Sequence, residues 1–127
     1  VSEKNNIEFK WNSNFPINSL NIMRGYICVS KDRQNDYLNY FFDAYWKDDQ
    51  DLSNIENISK LLSDLKIDIE KFFKSIKEQS IKDQLINLTN DAFQKEVFGT
   101  PTFIVNNKIF WGQDRLEYAL EEIKKIK

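Results

Sequence analysis

The stretch Glu96-Val-Phe-Gly-Thr-Pro-Thr-Phe-Ile-Val-Asn-Asn-Lys-Ile-Phe-Trp-Gly-Gln-Asp-Arg-Leu116 reads as a helix end, a bend at proline, a β-hairpin and a new helix start. Pro101 sits between Gly99-Thr100 and a β-branched run, a context typical of a proline held cis at the mouth of a strand. The alternative is a trans proline that merely opens the strand. A bent backbone turns the Thr100 amide and carbonyl away from any ladder partner, leaving them open to a peptide-like ligand that pairs as an added strand. Thr102–Val105 and Lys108–Trp111 flank Asn106-Asn107, and asparagine tolerates the positive φ of a two-residue hairpin turn. Gly99 suits a left-handed stop beyond the preceding helix.

Past the hairpin, Trp111-Gly-Gln-Asp-Arg115 forms a second constellation. Gly112 permits a tight exit from the strand, and Gln113 and Asp114 fall at a helix N-terminus. Free amides there attract a carboxylate, and the Asp114 carboxylate attracts an ammonium. An amino-acid head carries both charges on one carbon and matches this arrangement. The commoner use of such an aspartate is to cap the helix, here in Asp114-x-x-Glu117, and Arg115 reads as a solvated or ion-paired surface residue. Leu116, Ala119, Leu120 and Ile123 make the apolar stripe of a last helix, and Lys124, Lys125 and Lys127 suit its negative end.

The preceding residues read as mostly helical. Ile7–Trp11 alternates as a short extended segment, and Asn12–Pro16 is turn chemistry. Asn18 and Ser19 offer caps for a helix over Leu20–Ser30, with Leu20, Met23, Tyr26 and Ile27 on one side. Aromatic-rich Arg33–Trp46 predicts a largely buried helix, and Lys47–Asp51 a charged loop. Ser53-x-x-Glu56 predicts a capping box for a helix through Leu65. Asp68 is expected to cap Ile69–Gln79, and a helix over Ile81–Val97 is expected to turn Leu85, Leu88, Ala92 and Phe93 inward. Asn14, Asn18 and Ser19 suit either a polar cleft or plain turn and capping duty. Asp48, Asp49 and Asp51 lack the glycine hinge and terminal glutamate of a calcium loop, so no metal site is expected.

Composition narrows the chemistry. The 127 residues are 41% hydrophobic and 14% aromatic with a net charge of −2, which describes a packed globule. No basic patch suggests nucleic acid, and no apolar run approaches the ~18 residues of a membrane span. Cys28 is the only cysteine and there is no histidine. Dithiol chemistry, His-based triads and most zinc sites are therefore excluded. A lone thiol fits a reducing, cytoplasmic setting.

These motifs bring a family into view. Phe98-Gly-Thr-Pro-Thr-Phe103 followed by Phe110-Trp-Gly-Gln-Asp-Arg115 closely resembles the ending of 2-hydroxychromene-2-carboxylate isomerases, relatives of the kappa-class glutathione transferases. Phe15–Leu20, and Tyr45-Trp46 with Asp51–Ser53, also match in order and spacing. The resemblance implies an α/β, thioredoxin-like fold of DsbA type with an inserted helical domain. Here the inserted part is expected over 1–97, and the terminal hairpin and helix over 98–127. It implies glutathione as cofactor, held by the Thr100 backbone beside Pro101 and by Trp111, Gly112, Gln113 and Asp114. It also implies a small aromatic carboxylate substrate approached by Asn18. The implied activity is a glutathione-dependent cis–trans isomerisation; alternatives are a kappa-class-like transferase or a non-catalytic peptide-binding module. Family members open with a strand–helix–strand unit carrying a thiol-activating serine. This chain starts past that unit, and neither Ser13 nor Ser19 matches that serine. The expectation is therefore the C-terminal part of a longer enzyme, inactive by itself, with no catalytic residue of its own. An uncovered hairpin edge implies a homodimer or an unstable product.

Overall fold

A computed structural model describes residues 1–126; Lys127, grouped above with the terminal lysines, lies outside them. The elements in order are α1 (Leu20–Cys28), α2 (Gln34–Trp46), α3 (Ile55–Asp64), α4 (Ile69–Ser75), α5 (Gln79–Gln94), β1 (Thr102–Val105), β2 (Lys108–Trp111) and α6 (Leu116–Lys124), with short 3-10 turns at Glu3–Asn5, Lys31–Arg33 and Gln113–Arg115. The chain divides into two compact units, Val1–Leu85 and the part from Ile86 onward. The division falls inside α5, upstream of the 97/98 boundary suggested by the sequence.

The first unit is built on α1 to α4. Its core gathers Tyr37, Phe41, Ala44 and Tyr45 from α2, Ile58, Leu61 and Leu62 from α3, and Phe72 from α4, with Val29, Leu52, Leu65 and Ile76 from the connections. Tyr37 stacks on Phe41 at 4.3 Å between centroids, and its hydroxyl donates to the Ile22 carbonyl at 2.9 Å. Removing these side chains from water supplies the main drive for the packing, at about 1.5–3 kcal/mol for each large residue. α1 faces this core with Ile22, Gly25 and Tyr26. Leu20 and Met23, expected on its inner side, are exposed. α2 is amphipathic rather than buried all round, because Leu38, Tyr40 and Phe42 face outward.

Helix ends depart from expectation for identifiable reasons. Ser53 does not open α3: its amide and hydroxyl both go to Asp51 Oδ1, at 2.9 and 2.5 Å. Asn54 takes the cap instead, accepting from the Glu56 amide at 2.8 Å. Asp68 does cap α4, through the Lys71 amide at 2.8 Å. α4 stops at Ser75 because tight three-residue bonds, Lys77 N to Lys74 O and Glu78 N to Ser75 O, replace the helical ladder. At the end of α5, Glu96 adopts φ 60° while the Val97 amide reaches back to Ala92 O at 3.0 Å. Glu96 therefore takes the left-handed stop expected at Gly99. Leu88 and Phe93, expected inward, are exposed.

The second unit holds the antiparallel pair β1–β2, in the register Thr102↔Trp111 through Val105↔Lys108. Asn106 and Asn107 both have positive φ, 51° and 59°, as a two-residue primed turn requires. Glu122 of α6 is 5% exposed. It accepts from Lys108 Nζ at 2.9 Å, Asn106 Nδ2 at 3.2 Å and Lys125 Nζ at 3.2 Å, tying the hairpin turn to the helix. Those donors hold its carboxyl down to about 2, Lys108 foremost. Ile7–Trp11 joins no strand; its rings instead lie against Trp46 in the first unit, Phe9 stacking at 5.6 Å.

Candidate functional site

The hairpin register determines the candidate site. Pairing Thr102 with Trp111 sets the residues before β1 beside those after β2. The Gly112 amide then donates to the Pro101 carbonyl at 2.9 Å, and the Arg115 amide to Gly112 O at 3.1 Å. Between these segments lies a cavity of about 330 Å³ lined by Thr100, Pro101, Trp111, Gly112, Gln113, Asp114 and Arg115. Its size falls at the small end of the ~300–1,000 Å³ usual for ligand clefts. The Thr100–Pro101 bond is cis, as is Phe15–Pro16.

Each wall has a local cause. Gly99 lets the Nε1 edge of the Trp111 indole approach the chain, since a Cβ there would overlap it. Phe98 flanks the same ring at 5.1 Å. Thr102 Oγ1 closes the bend by donating to Gly99 O at 2.5 Å. Gly112 has φ 104°, open to glycine and strained for other residues, and a Cβ on it would crowd Asp114 Oδ1 at 2.5 Å.

Several polar groups of the lining residues are unspent. The amide and carbonyl of Thr100 have no partner among the described residues, and neither do the Gln113 and Asp114 amides opening the turn into α6. Asp114 is no helix cap: the capping box expected with Glu117 is replaced by a 3-10 turn, and no side chain caps α6. Its carboxylate stands 75% exposed, with Arg115 Nε 3.8 Å away. The guanidinium of Arg115 in turn lies 5.5 Å from the Tyr118 ring. Arg115, read from sequence as a solvated or ion-paired surface residue, is exposed and paired in this way, and it also lines the cavity.

Asn18 belongs to the first unit, and its Oδ1 accepts from the Leu20 amide at 3.0 Å, which is turn duty at the start of α1. Ser19 makes no capping bond. Ser13 gives both its amide and its hydroxyl to Asp49 Oδ1, at 2.7 and 2.9 Å. With Lys10 Nζ at 2.8 Å, these donors lower the Asp49 carboxyl to about 2. The acidic loop is thus a tether for the N-terminal segment. Asn12, read from sequence only as a turn residue, does accept from the Asn14 amide at 2.8 Å, but it is also buried and staples that segment by donating to the Tyr45 and Gln50 carbonyls at 2.8 and 2.9 Å. Among the described residues no acidic or thiol cluster is arranged to hold a metal, and no helix is long and apolar enough to cross a membrane.

Known proteins share this architecture. The 2-hydroxychromene-2-carboxylate isomerase of Pseudomonas sp. (strain C18) is 31% identical over 81 residues, which is 63% of this chain and 38% of that protein. The enzyme of the same name from Pseudomonas putida is 28% identical over 81 residues, covering 63% and 39%. The chain thus spans under half the length of these curated relatives. A solved structure of selenomethionine 2-hydroxychromene-2-carboxylate isomerase superposes with a TM-score of 0.84 at 20% identity, over 98% of this chain and 61% of that one. That likeness establishes the fold. The family description "DSBA-like thioredoxin domain" matches residues 1–124, and the chain belongs to that family.

Proposed function

We propose that this chain supplies the glutathione-holding part of an isomerase resembling 2-hydroxychromene-2-carboxylate isomerase. One observation carries the reading: Thr100 and Pro101 share a single cavity with Trp111, Gly112, Gln113 and Asp114. The donor set fits the tripeptide. Thr100 offers an unspent amide and carbonyl to pair with the cysteinyl backbone. The turn amides of Gln113 and Asp114 suit the γ-glutamyl carboxylate, and the Asp114 carboxylate suits its ammonium. Trp111 walls the apolar side. When bound, glutathione supplies a thiolate for reversible addition to a conjugated double bond, a nucleophilic route that splits one hard rearrangement into easier steps. The residues of this chain bind and orient; none of its serines is assigned to thiolate activation. The proposed substrate is a small aromatic carboxylate, with Asn18 as its neighbour, in a cytoplasmic homodimer.

Isothermal titration with reduced glutathione tests the reading. Saturable binding is expected for the unaltered chain. Asp114→Ala is expected to weaken it about fivefold, the loss of roughly 1 kcal/mol from an exposed charge pair, with an unchanged far-ultraviolet circular dichroism spectrum. An unaltered affinity in that variant removes Asp114 from the site, and an absence of any glutathione binding removes the function.

A further inference from the structure

The first unit contains a second cavity that the isomerase reading does not use. It measures about 310 Å³ and opens between the end of α1 and the α3–α4 connection. Its floor is apolar: Val29 and Phe72 are core residues, and Ile67 packs against them. Its rim is cationic, formed by Arg33, Lys66 and Lys71, with the hydroxyl-bearing Ser30 and Ser75 between them.

The charges are unequal in a way that matters. Asp68 is the one carboxylate in the lining, and its Oδ1 is committed to the Lys71 amide at 2.8 Å. Arg33 is held in place, its Nη2 donating to the Leu65 carbonyl and its Nε 3.8 Å from Asp36. Lys66 and Lys71 have no ion-pair partner among the described residues. The base of Lys66 is fixed too. It has φ 55° as the left-handed stop of α3, where the Ile67 amide reaches back to Leu62 O at 2.8 Å. Glycine or asparagine usually occupies that position; here the chain places a cation there, at the cavity mouth. Lys66 and Lys71 thus line an apolar recess with charges that no ion pair among the described residues offsets, and an anion would offset them.

We propose that this cavity is a binding site for a small organic anion, its carboxylate or phosphate head between Lys66, Lys71 and Arg33 and its flat apolar body on Phe72 and Val29. The site lies wholly within the first unit, so it stands or falls independently of glutathione binding.

Cys28, the only cysteine of the chain, lines the same cavity and reports its occupancy. Burial pushes the Cys28 thiol up, with Glu78 adding to the effect, so alkylation by iodoacetamide is best followed at mildly alkaline pH. The probes are benzoate for a carboxylate head, phenyl phosphate and inorganic phosphate for a phosphate head, and phenol for the uncharged ring. Benzoate or phenyl phosphate is expected to slow alkylation saturably, at least threefold at saturation. Phenol is expected to leave the rate unchanged, and inorganic phosphate to protect only at higher concentration than phenyl phosphate. Stronger protection by benzoate identifies a carboxylate ligand, and stronger protection by phenyl phosphate a phosphate ligand. The double variant Lys66→Asn, Lys71→Gln, which keeps a residue tolerant of the left-handed turn, is expected to raise the half-protecting concentration at least tenfold with unchanged circular dichroism. No protection by either organic anion, equal protection by phenol, or equal protection in the double variant overturns the proposal. If the double variant misfolds, Lys71→Gln alone replaces it and is expected to give at least a threefold rise; no rise overturns the proposal as well.

Discussion

At the scale of single residues, Glu122 shows how a charge can be buried productively. An unpaired carboxylate on the inner face of α6 is costly, but three donors meet this one, and two of them come from the hairpin turn. The folded state therefore holds the acid near 2, below its ordinary value of 4.5. A depressed acid stabilises the folded state fully above the unfolded value, and that contribution is lost as pH falls from about 4.5 towards 2. The amide resonances of Asn106 and Lys108, followed by nuclear magnetic resonance, are expected to move through this window. Glu122→Gln is expected to abolish that local titration and to lower the melting temperature at pH 7. Asp49 is depressed to a similar value in the first unit, so the global acid midpoint is expected to move less than the local one. A hairpin titration unchanged by Glu122→Gln contradicts the assignment.

At the scale of elements, α1 is placed by the absence of a side chain. A Cβ on Gly25 would overlap the Phe72 ring of α4 and the Tyr37 hydroxyl of α2. Alanine is the better helix former by about 1 kcal/mol, yet overpacking a core costs about 1–3 kcal/mol. Gly25→Ala is expected to destabilise the protein by up to about 2 kcal/mol in urea denaturation, the difference of these two effects, and a stabilised variant would deny the close approach. Element positions were legible in the sequence because apolar periodicity is local: the four residues of each strand and the asparagine turn fall where the pattern puts them. The two segments that line the cavity were read from sequence separately and joined only by the family resemblance; the two-residue turn sets residues 100–101 beside 112–113. Caps were less legible. Ser53 and Asn54 are both good caps, and the choice was made by Asp51, which captures Ser53. The inner faces of α1 and α5 were misjudged because facing is set by which partner a helix meets, as with Ile22 and Gly25 against Leu20 and Met23. Nothing in the sequence pattern announced the cationic cavity, whose lining residues come from the end of α1, α4 and separate connections.

At the scale of the whole molecule, the unresolved demand is cover for apolar surface in the second unit. α6 buries only Ala119 and Glu122, while Leu116, Leu120 and Ile123 remain 42%, 47% and 50% exposed. The sheet has two strands, so each has an unpaired edge, and Ile104 of β1 is also exposed. Two strands alone are marginal in water, and an apolar face beside an open edge is a template for association. The chain is therefore expected to self-associate. Size-exclusion chromatography with light scattering should give a mass above the 15.2 kDa of one chain, rising with concentration. Leu120→Lys with Ile123→Lys places two charges on this face without touching Ala119 or Glu122, and is expected to shift the mass towards one chain while helical content is kept. A monodisperse single chain at high concentration, with a cooperative melt, would show that this surface tolerates water, and the dimer would be withdrawn, while the cavity proposed for glutathione, whose walls lie on the strand ends, would be unaffected.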